Sequence, residues 1–509
     1  MKLSFLLQDC IVPWERRVAP AVDPAADPDI RSVHSRAQDV KPQGLFIAVK
    51  GFSADGHDFI DTALAGGAAA VIAERDGYTD KRIITVKNTR KAMAAIASRY
   101  YGDPSKQVFL TGITGTNGKT TVTWLTESIF KAAGFNTGVI GTINVRYNGM
   151  THETPVTTPD SPDLQRILAD MAQSSVTHVI MEVSSHAVNL NRIDHCRFNT
   201  GVFTNLSQDH LDYHGTMRAY WKCKKDFFTK ILRSGKEGER ATAVMNTDDP
   251  KGRELAARLT PPLLTTGLAG DTDIFCKDIT DNISGIAATL VMGDTSVRIA
   301  SPLTGRFNIE NILSAAGAAR AAGISPEAVQ KGIETCTAIP GRLERIDNAR
   351  DRFVFVDYAH TPEALASILE TLENRAENRL ITVFGCGGDR DPSKRPLMGK
   401  AASVHSDVVI VTSDNPRGED PVNIIQDILP GIDESANKEK VIVEPDREKA
   451  LKLAVRISKE KDTIVAAGKG HETYQIIKSG RIDFDDRLIL KQALEQLAED
   501  AGKVADGAD

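Results

Sequence analysis

The run Val108-Phe-Leu-Thr-Gly112-Ile-Thr-Gly115-Thr-Asn-Gly118-Lys119-Thr120-Thr121 constrains this chain more than any other segment. An apolar strand leads directly into a glycine-rich loop, and a helix pattern opens near Lys119. Such a loop lets backbone N–H groups turn inward onto phosphate oxygens, and the helix N-terminus adds positive potential. Gly115, Thr116, Asn117, Gly118, Lys119, Thr120 and Thr121 are therefore the expected cradle for ATP or a close relative. Lys119 is expected to reach the β- and γ-phosphates and the Thr120 hydroxyl to face Mg2+. The strict spacing of such loops has a glycine five residues before Gly118, where this chain has Ile113. A phosphate loop does not name a reaction, because motors, switches, kinases and ligases all carry one.

Around this loop the chain of 509 residues is too long for one core, and three domains are expected. Residues 1–105 read as a small α/β domain. Gly44 to Lys50 is a buried strand, Phe59 to Ala70 a helix running through Gly66-Gly67, and 70–73 and 83–86 are short apolar strands. Gly102-Asp-Pro-Ser marks the boundary. Residues 106–340 add strands at Val108–Gly112, Thr177–Val183, Thr200–Phe203 and Thr242–Met245, alternating with helix-length patterns, as a mostly parallel sheet requires. Ile274–Ile299 alternates with short turns and predicts an antiparallel insertion. Residues 341–509 repeat apolar strands at 353–356, 380–384, 408–412, 441–443 and 463–467, each followed by a polar or glycine-rich loop. Ligands in open α/β sheets sit beyond such strand ends. The last dozen residues read as a frayed tail.

Composition narrows the function. Hydrophobic residues are 41% and charged residues 26%, which excludes disorder over most of the length. A net charge of −6 with no long basic block argues against a nucleic-acid partner. The six cysteines (10, 196, 223, 276, 336 and 386) form no CxxC pair, which fits reduced thiols and no structural zinc. The apolar patch in MKLSFLLQDC is followed at once by Trp14, Glu15 and two arginines, so it reads as a helical turn. No run approaches the ~20 apolar residues of a membrane span, and a cytoplasmic protein is expected.

Other polar clusters follow the central strands. Glu182 ends an apolar strand and is placed to share a Mg2+ with Thr120. Asp209-His210-Leu-Asp-Tyr-His214 follows the next strand. Lys222-Cys-Lys224-Lys225 lies on a helix pattern, and composition alone makes it a solvated basic face.

Together these segments resemble the Mur ligases of bacterial cell-wall synthesis, and most of all the branch that adds the third residue to UDP-N-acetylmuramoyl-L-alanyl-D-glutamate. The resemblance spans essentially the whole chain. It rests on Ser35-Arg36, Thr114-Gly-Thr-Asn-Gly-Lys-Thr-Thr, Thr157-Thr-Pro, Glu182-Val-Ser-Ser-His and Asp209-His-Leu-Asp. It continues through Gly305-Arg-Phe-Asn308, Pro340-Gly-Arg342, Asp357-Tyr-Ala-His360, Gly385-Cys-Gly-Gly-Asp-Arg390 and Gly468-Lys-Gly-His-Glu472. The family's phosphate loop has the same form, so Ile113 does not count against it.

The resemblance implies three domains: a small N-terminal α/β domain, a central P-loop ATPase-like parallel sheet and a C-terminal Rossmann-like doubly wound domain. It implies that Ser35, Thr157, Thr158, Ser184 and Arg192 bind the UDP-linked substrate. The family often has glutamine where this chain has Leu190, so that contact is not carried over. Asn308, Arg342 and Asp357 align with ATP contacts. Lys224 aligns with a lysine that the family carbamylates, which would help Thr120, Glu182 and His210 hold Mg2+ and sets aside the solvated-face reading. Asp414-Asn415-Pro416-Arg417 marks members that select meso-diaminopimelate over L-lysine. A guanidinium such as Arg417 can hold the extra carboxylate of diaminopimelate in a bidentate pair. Arg390, Asn415, Gly468 and Glu472 complete the implied pocket, with Glu472 meeting the distal ammonium.

The implied chemistry is phosphorylation of the D-glutamate side-chain carboxylate by ATP, then attack of the amine on the acyl phosphate. Lys119, Lys224, His210 and Glu182 are the implied catalytic groups, working mainly by positioning and charge neutralisation. His210 and His360 are both candidates for active-site roles, and the base is not identified. The expected partners are the UDP-linked dipeptide, meso-diaminopimelate and ATP, without nucleic acid or membrane, and a monomer is expected. The alternatives are the same ligase using L-lysine, a folylpolyglutamate-synthase-like ligase, and a P-loop switch protein that hydrolyses nucleotide without an amino acid.

Overall fold

The computed structural model describes residues 1–8, 27–52, 54–232, 241–260, 262–348, 351–432 and 441–506. Cys10, Trp14 and Glu15, and the end of the tail at 507–509, lie outside the described residues. The opening apolar patch is one helical turn, Leu3–Leu6, with Leu3 and Leu6 buried. The strands Ser32–His34, Gly44–Ile47, Ala68–Ala73 and Ile83–Thr85 then pair in parallel, in chain order. Every residue of Gly44–Ile47 is buried, as a strand packed on both faces requires. The helix expected from Phe59 to Ala70 is shorter. It spans Ile60–Ala65, and Gly67 at φ 93° ends it, because a left-handed residue past the last turn redirects the chain into the next strand.

In the second sheet Phe109–Thr114 is central. It runs parallel between Thr200–Phe203 and His178–Glu182. Thr137–Ile140 pairs beyond His178–Glu182, and Thr242–Asn246 and Leu263–Thr266 lie beyond Thr200–Phe203, all parallel. The carboxyl ends of these strands therefore open along one edge. The helix Lys119–Ala132 buries Val122, Leu125, Ile129 and Phe130, a spacing that forms one apolar stripe. Leu110, Val179, Met181 and Phe203 are wholly buried in one apolar cluster of their own within this unit, and each contributes about 1.5–3 kcal/mol by leaving water. The stretch predicted to be antiparallel forms Ile274–Asn282, Gly285–Met292 and Thr295–Ser301, neighbours in the sheet. Connections this short permit only hairpins.

The third sheet orders Phe353–Asp357, Thr463–Ala467, Leu380–Phe384, Val408–Val411 and Val441–Val443 in parallel, with Glu344–Arg345 antiparallel at one edge. The last strand in sequence inserts between the first two, so the strand order reverses there. Such a reversal opens a crevice at the carboxyl ends. The final helix, Asp486–Asp506, reaches further than the composition of the tail suggested. The chain divides into two compact units. One comprises Met1–Cys276, Val291–Ser296 and Glu310–Gly332; the other comprises Lys277–Leu290, Val297–Ile309 and Ile333–Asp509.

Candidate active site

Gly118 begins the helix Lys119–Ala132 at φ 84°, in the left-handed region. A Cβ there would fall 2.3 Å from Asn311 Oδ1, so glycine is needed for space as well as conformation. The loop is clamped by the segment after Thr200–Phe203. The Asn117 N–H donates to Asn205 Oδ1 at 2.9 Å and the Thr204 hydroxyl to the Asn117 carbonyl at 2.6 Å. Thr116 Oγ1 accepts from the Ser207 N–H at 3.0 Å and meets Tyr220 Oη at 3.1 Å. Lys119 Nζ donates to the carbonyls of Gly115 and Thr116 at 3.0 and 2.8 Å. Thr120 and Thr121 are buried in the first turn of the helix. The segment thus folds as a strand, a loop and a helix, in the order its sequence pattern predicts.

The second cation of this loop is Lys224. The helix Met217–Asp226 sets Tyr220 and Lys224 four residues apart, on one face, turned inward. Lys224 is 1% exposed, its Nζ donates to the Gly115 carbonyl at 2.6 Å, and it lies 4.6 Å from the Tyr220 ring centre. Burial first, and the charge of Lys119 second, hold its ammonium well below the usual lysine range. The solvated-face reading therefore fails at Lys224, while exposed Lys222 pairs with Asp226 at 2.7 Å in the way composition suggested.

Glu182 is buried at the end of its strand. Thr120 Oγ1 donates to its Oε2 at 3.2 Å, Thr142 Oγ1 donates to the same oxygen at 2.8 Å, and the Thr142 N–H donates to Oε1 at 3.1 Å. Among the described residues no three His, Cys, Asp or Glu side chains converge as a metal cage. A carboxylate and a hydroxyl beside a phosphate loop nevertheless fit Mg2+, which takes few protein ligands and fills its shell with water and phosphate oxygens. Lys224 fits that role only as a carbamate, because an ammonium has no lone pair to offer. His210 sits at φ 55°, and its Nε2 lies 3.4 Å from Asp209 Oδ2. Its ring centre is 5.0 Å from that of His186 and 5.9 Å from that of Tyr220. Burial pushes its pKa down.

Most of the residues expected to bind the UDP-linked substrate gather beside Glu182. The Thr158 hydroxyl donates to the Glu182 carbonyl at 2.8 Å and accepts from the Ser184 N–H at 3.1 Å. Arg192 Nη1 donates to the Thr158 carbonyl at 2.9 Å, and Thr157 Oγ1 meets Thr142 Oγ1 at 3.1 Å. Ser35, just past the strand Ser32–His34, makes no hydrogen bond to this cluster among the described residues. Thr142 was not singled out in the sequence; its signal was its place just beyond the carboxyl end of Thr137–Ile140.

In the second unit Asp357 is buried at the end of its strand and accepts from the N–H groups of Leu343 and Ala359, both at 2.7 Å. Burial raises its pKa, against the pull of Arg342. Arg342 lies over the Tyr358 ring at 4.8 Å, and Asn308 Nδ2 donates to the Thr304 carbonyl at 2.8 Å. Asp414, Asn415, Pro416 and Arg417 follow the strand Val408–Val411 and are buried except Arg417, which is half-buried. Arg417 stands at φ 53° and its N–H donates to the Ile476 carbonyl at 3.0 Å. Its Nη1 donates to the carbonyls of Gly388 at 2.8 Å and Asn415 at 3.4 Å. Arg390 is exposed, with Nη1 donating to the Asp389 carbonyl at 3.2 Å. The Gly468 N–H donates to the Asp357 carbonyl at 3.1 Å. Glu472 accepts from Asn415 Nδ2 at 2.9 Å and from Lys469 Nζ at 3.0 Å. Sequence reasoning missed Lys469, whose signal is a lysine between two glycines at a strand end. Cys386 is buried, with its thiol pushed up to about 12 by burial, and is an inert core group.

Three family models match the chain. They are "Mur ligase family, catalytic domain" over residues 29–101, "Mur ligase middle domain" over 113–319, and "Mur ligase, glutamate ligase domain" over 341–470. The chain is 42% identical over 485 residues to the UDP-N-acetylmuramoyl-L-alanyl-D-glutamate–2,6-diaminopimelate ligase of Geobacter metallireducens, covering 92% of this chain and 95% of that one. It is 42% identical over 498 residues to the protein of the same name from Solibacter usitatus, covering 97% and 98%. A solved structure of a ligase of that name aligns with TM-score 0.68 and 34% identity over 92% of this chain and 95% of its own. Folylpolyglutamate synthase of Mycobacterium tuberculosis shares the fold over 74% of this chain and 92% of its own, with TM-score 0.59 and 20% identity. The chain belongs to the Mur ligase family, whose members are ATP-dependent ligases. Relatives at about 40% identity over nearly the whole chain share one name, that of the ligase adding 2,6-diaminopimelate.

Proposed function

We propose that this protein joins meso-diaminopimelate to the D-glutamate of UDP-N-acetylmuramoyl-L-alanyl-D-glutamate at the expense of ATP, in peptidoglycan precursor synthesis. The observation that carries the amino-acid choice is Arg417. Among the described residues, Nη1 is the one guanidinium nitrogen of Arg417 hydrogen-bonded to protein acceptors, at Gly388 and Asn415. The Nε–Nη2 edge is left for the bidentate pair that a distal carboxylate makes and a lysine side chain cannot. Glu472 lies across the same loop, tied to Asn415, and meets the ammonium beside that carboxylate.

On this reading, a carboxylate oxygen of D-glutamate attacks the γ-phosphorus of ATP and ADP departs. The neutral amine nitrogen of diaminopimelate then attacks the acyl carbon, the C–O bond breaks, phosphate leaves with its electrons, and the amine's surplus proton passes to solvent. Lys119 and the N–H groups of 115–121 hold the phosphates, and Lys224 with His210 lines the same loop. Thr120 and Glu182, with Lys224 as a carbamate and His210, would hold Mg2+, which supplies charge neutralisation at the phosphates. Thr157, Thr158, Ser184, Arg192 and Ser35 bind the UDP-linked substrate; Asn308, Arg342 and Asp357 are assigned to ATP; Arg390, Asp414, Asn415, Pro416, Arg417, Gly468 and Glu472 form the amino-acid pocket. We assign the domains as 1–105, 106–340 and 341–509, in a cytoplasmic monomer. No helix of the described residues is long and apolar enough to cross a membrane.

The test is phosphate release with the UDP-linked dipeptide and ATP, comparing meso-diaminopimelate with L-lysine. Release with diaminopimelate alone, and loss of that preference in Arg417→Ala, is the expected result. Equal turnover with lysine would remove the Arg417 reading, and turnover without any amino acid would remove the ligase.

A further inference from the structure

We infer that Lys469 is the positioning residue of the amino-acid pocket, setting Glu472 and Asn415 in the geometry that receives the far end of the incoming amino acid. This rests on the pocket proposed above. Lys469 is 0% exposed, one of the largest wholly buried side chains described. A buried ammonium is costly unless each of its protons is satisfied. Here all three are: Nζ donates to Glu472 Oε2 at 3.0 Å, to Asn415 Oδ1 at 3.4 Å and to the Tyr474 carbonyl. The Tyr474 and Phe484 ring centres lie 5.7 and 6.0 Å from Nζ and wall it in. With its donors spent inside the protein, Lys469 does not itself bind substrate.

Its effect falls on the two groups it touches. Asn415 Oδ1 is shared by Lys469 and the Ile476 N–H at 2.8 Å, which turns the amide so that Nδ2 faces Glu472. Both bonds to Glu472 land on Oε2, and among the described residues no hydrogen bond reaches Oε1. One oxygen is therefore anchored while the other stays available to a ligand ammonium. Lys469 also sets a positive charge 3.0 Å from Glu472 Oε2. The backbone carbonyl of Asn415 accepts from Arg417 Nη1 at 3.4 Å, so the residue that Lys469 anchors also touches the carboxylate reader.

The test is a double-mutant cycle in the full-length enzyme, measuring KM for diaminopimelate, kcat and ADP affinity in Lys469→Met, Glu472→Gln and the double variant. The expected result is a KM raised at least about tenfold by Lys469→Met with kcat within about threefold, and ADP affinity unchanged. The double variant should be no worse than Glu472→Gln alone, because Lys469 acts through that carboxylate. Additive effects, or an unchanged KM in Lys469→Met beside a raised KM in Glu472→Gln, would overturn the role of Lys469 and leave the pocket standing. An unchanged KM in Glu472→Gln would instead remove the pocket. Lys469→Gln, which keeps polar donors without charge, repeats the measurement should Lys469→Met fail to bind ADP; loss of ADP binding in both makes Lys469 a folding residue and overturns the inference.

Discussion

Lys224 shows how much one side chain depends on its surroundings. Its neighbours in sequence suggest a wet basic helix face, yet the helix turns Lys224 under the phosphate loop, where burial and Lys119 favour a neutral amine. A neutral amine is the form that takes up carbon dioxide. Lys224→Met is expected to lower kcat about a hundredfold or more, the scale of losing one preorganised charge at a phosphoryl centre. Isotopically labelled bicarbonate should enter the native protein and not this variant, as seen by carbon NMR. Gly118 makes a second test. Gly118→Ala must bring its Cβ against Asn311 Oδ1 and hold alanine at φ 84°. The strain alone costs about 1–2 kcal/mol, and ADP affinity measured by calorimetry should fall at least about tenfold. Two residues proposed for the site, His210 and Arg417, stand at positive φ, a strain that functional positions tolerate.

Elements meet their neighbours through a few decisive side chains. The helix that carries Lys224 passes at once into a π-helical turn, Phe227–Ile231, a widening often found at functional positions. At the amino end of His178–Glu182, the His178 ring stacks 3.8 Å from Phe135 and 5.2 Å from Phe109. Burial there pushes its pKa down to about 4. The unfolded chain takes up that proton near 6.5, so between those values it binds more protons than the folded one. Stability is therefore full above pH 6.5 and is lost as pH falls toward 4. The slope is at most about 1.4 kcal/mol per pH unit, and smaller here because the ring keeps partial contact with water. Urea midpoints should fall between pH 6.5 and 5, and His178→Phe should flatten that limb. An identical acid limb in the variant would show that His178 does not carry it. His186 and His471, also held down to about 4 by burial, share the window and will supply the remainder.

At the scale of the molecule, two compact units predict two calorimetric transitions. ADP, which the loop at 115–121 is proposed to hold, should raise the one belonging to the first unit. The other unit contains a wholly buried pair, Arg447 and Asp486, joined at 2.6 and 2.8 Å. Arg447 Nη2 also donates to the Ala467 carbonyl at 3.0 Å, behind the loop that carries Gly468. Arg447→Met leaves a buried carboxylate without its partner, and the second transition should lose about 3–5 kcal/mol. The first transition should stay in place, and movement of both would mean that the units unfold as one.

The sequence alone sufficed for the strand, loop and helix around Gly118, the parallel strands and the family. Those signals are local: glycine spacing, apolar runs and fixed motifs read the same whatever surrounds them. Strand positions in the C-terminal sheet were legible to within a residue for that reason, whereas the helix stop at Gly66-Gly67 was not, because either glycine could have continued the turn. Only the tertiary structure decided that Lys224 is buried and Lys222 is not, that Thr142 braces Glu182, and that Lys469 is spent on Glu472 and Asn415. Each depends on which distant strand ends are brought together, and on the water that packing removes from around a charge.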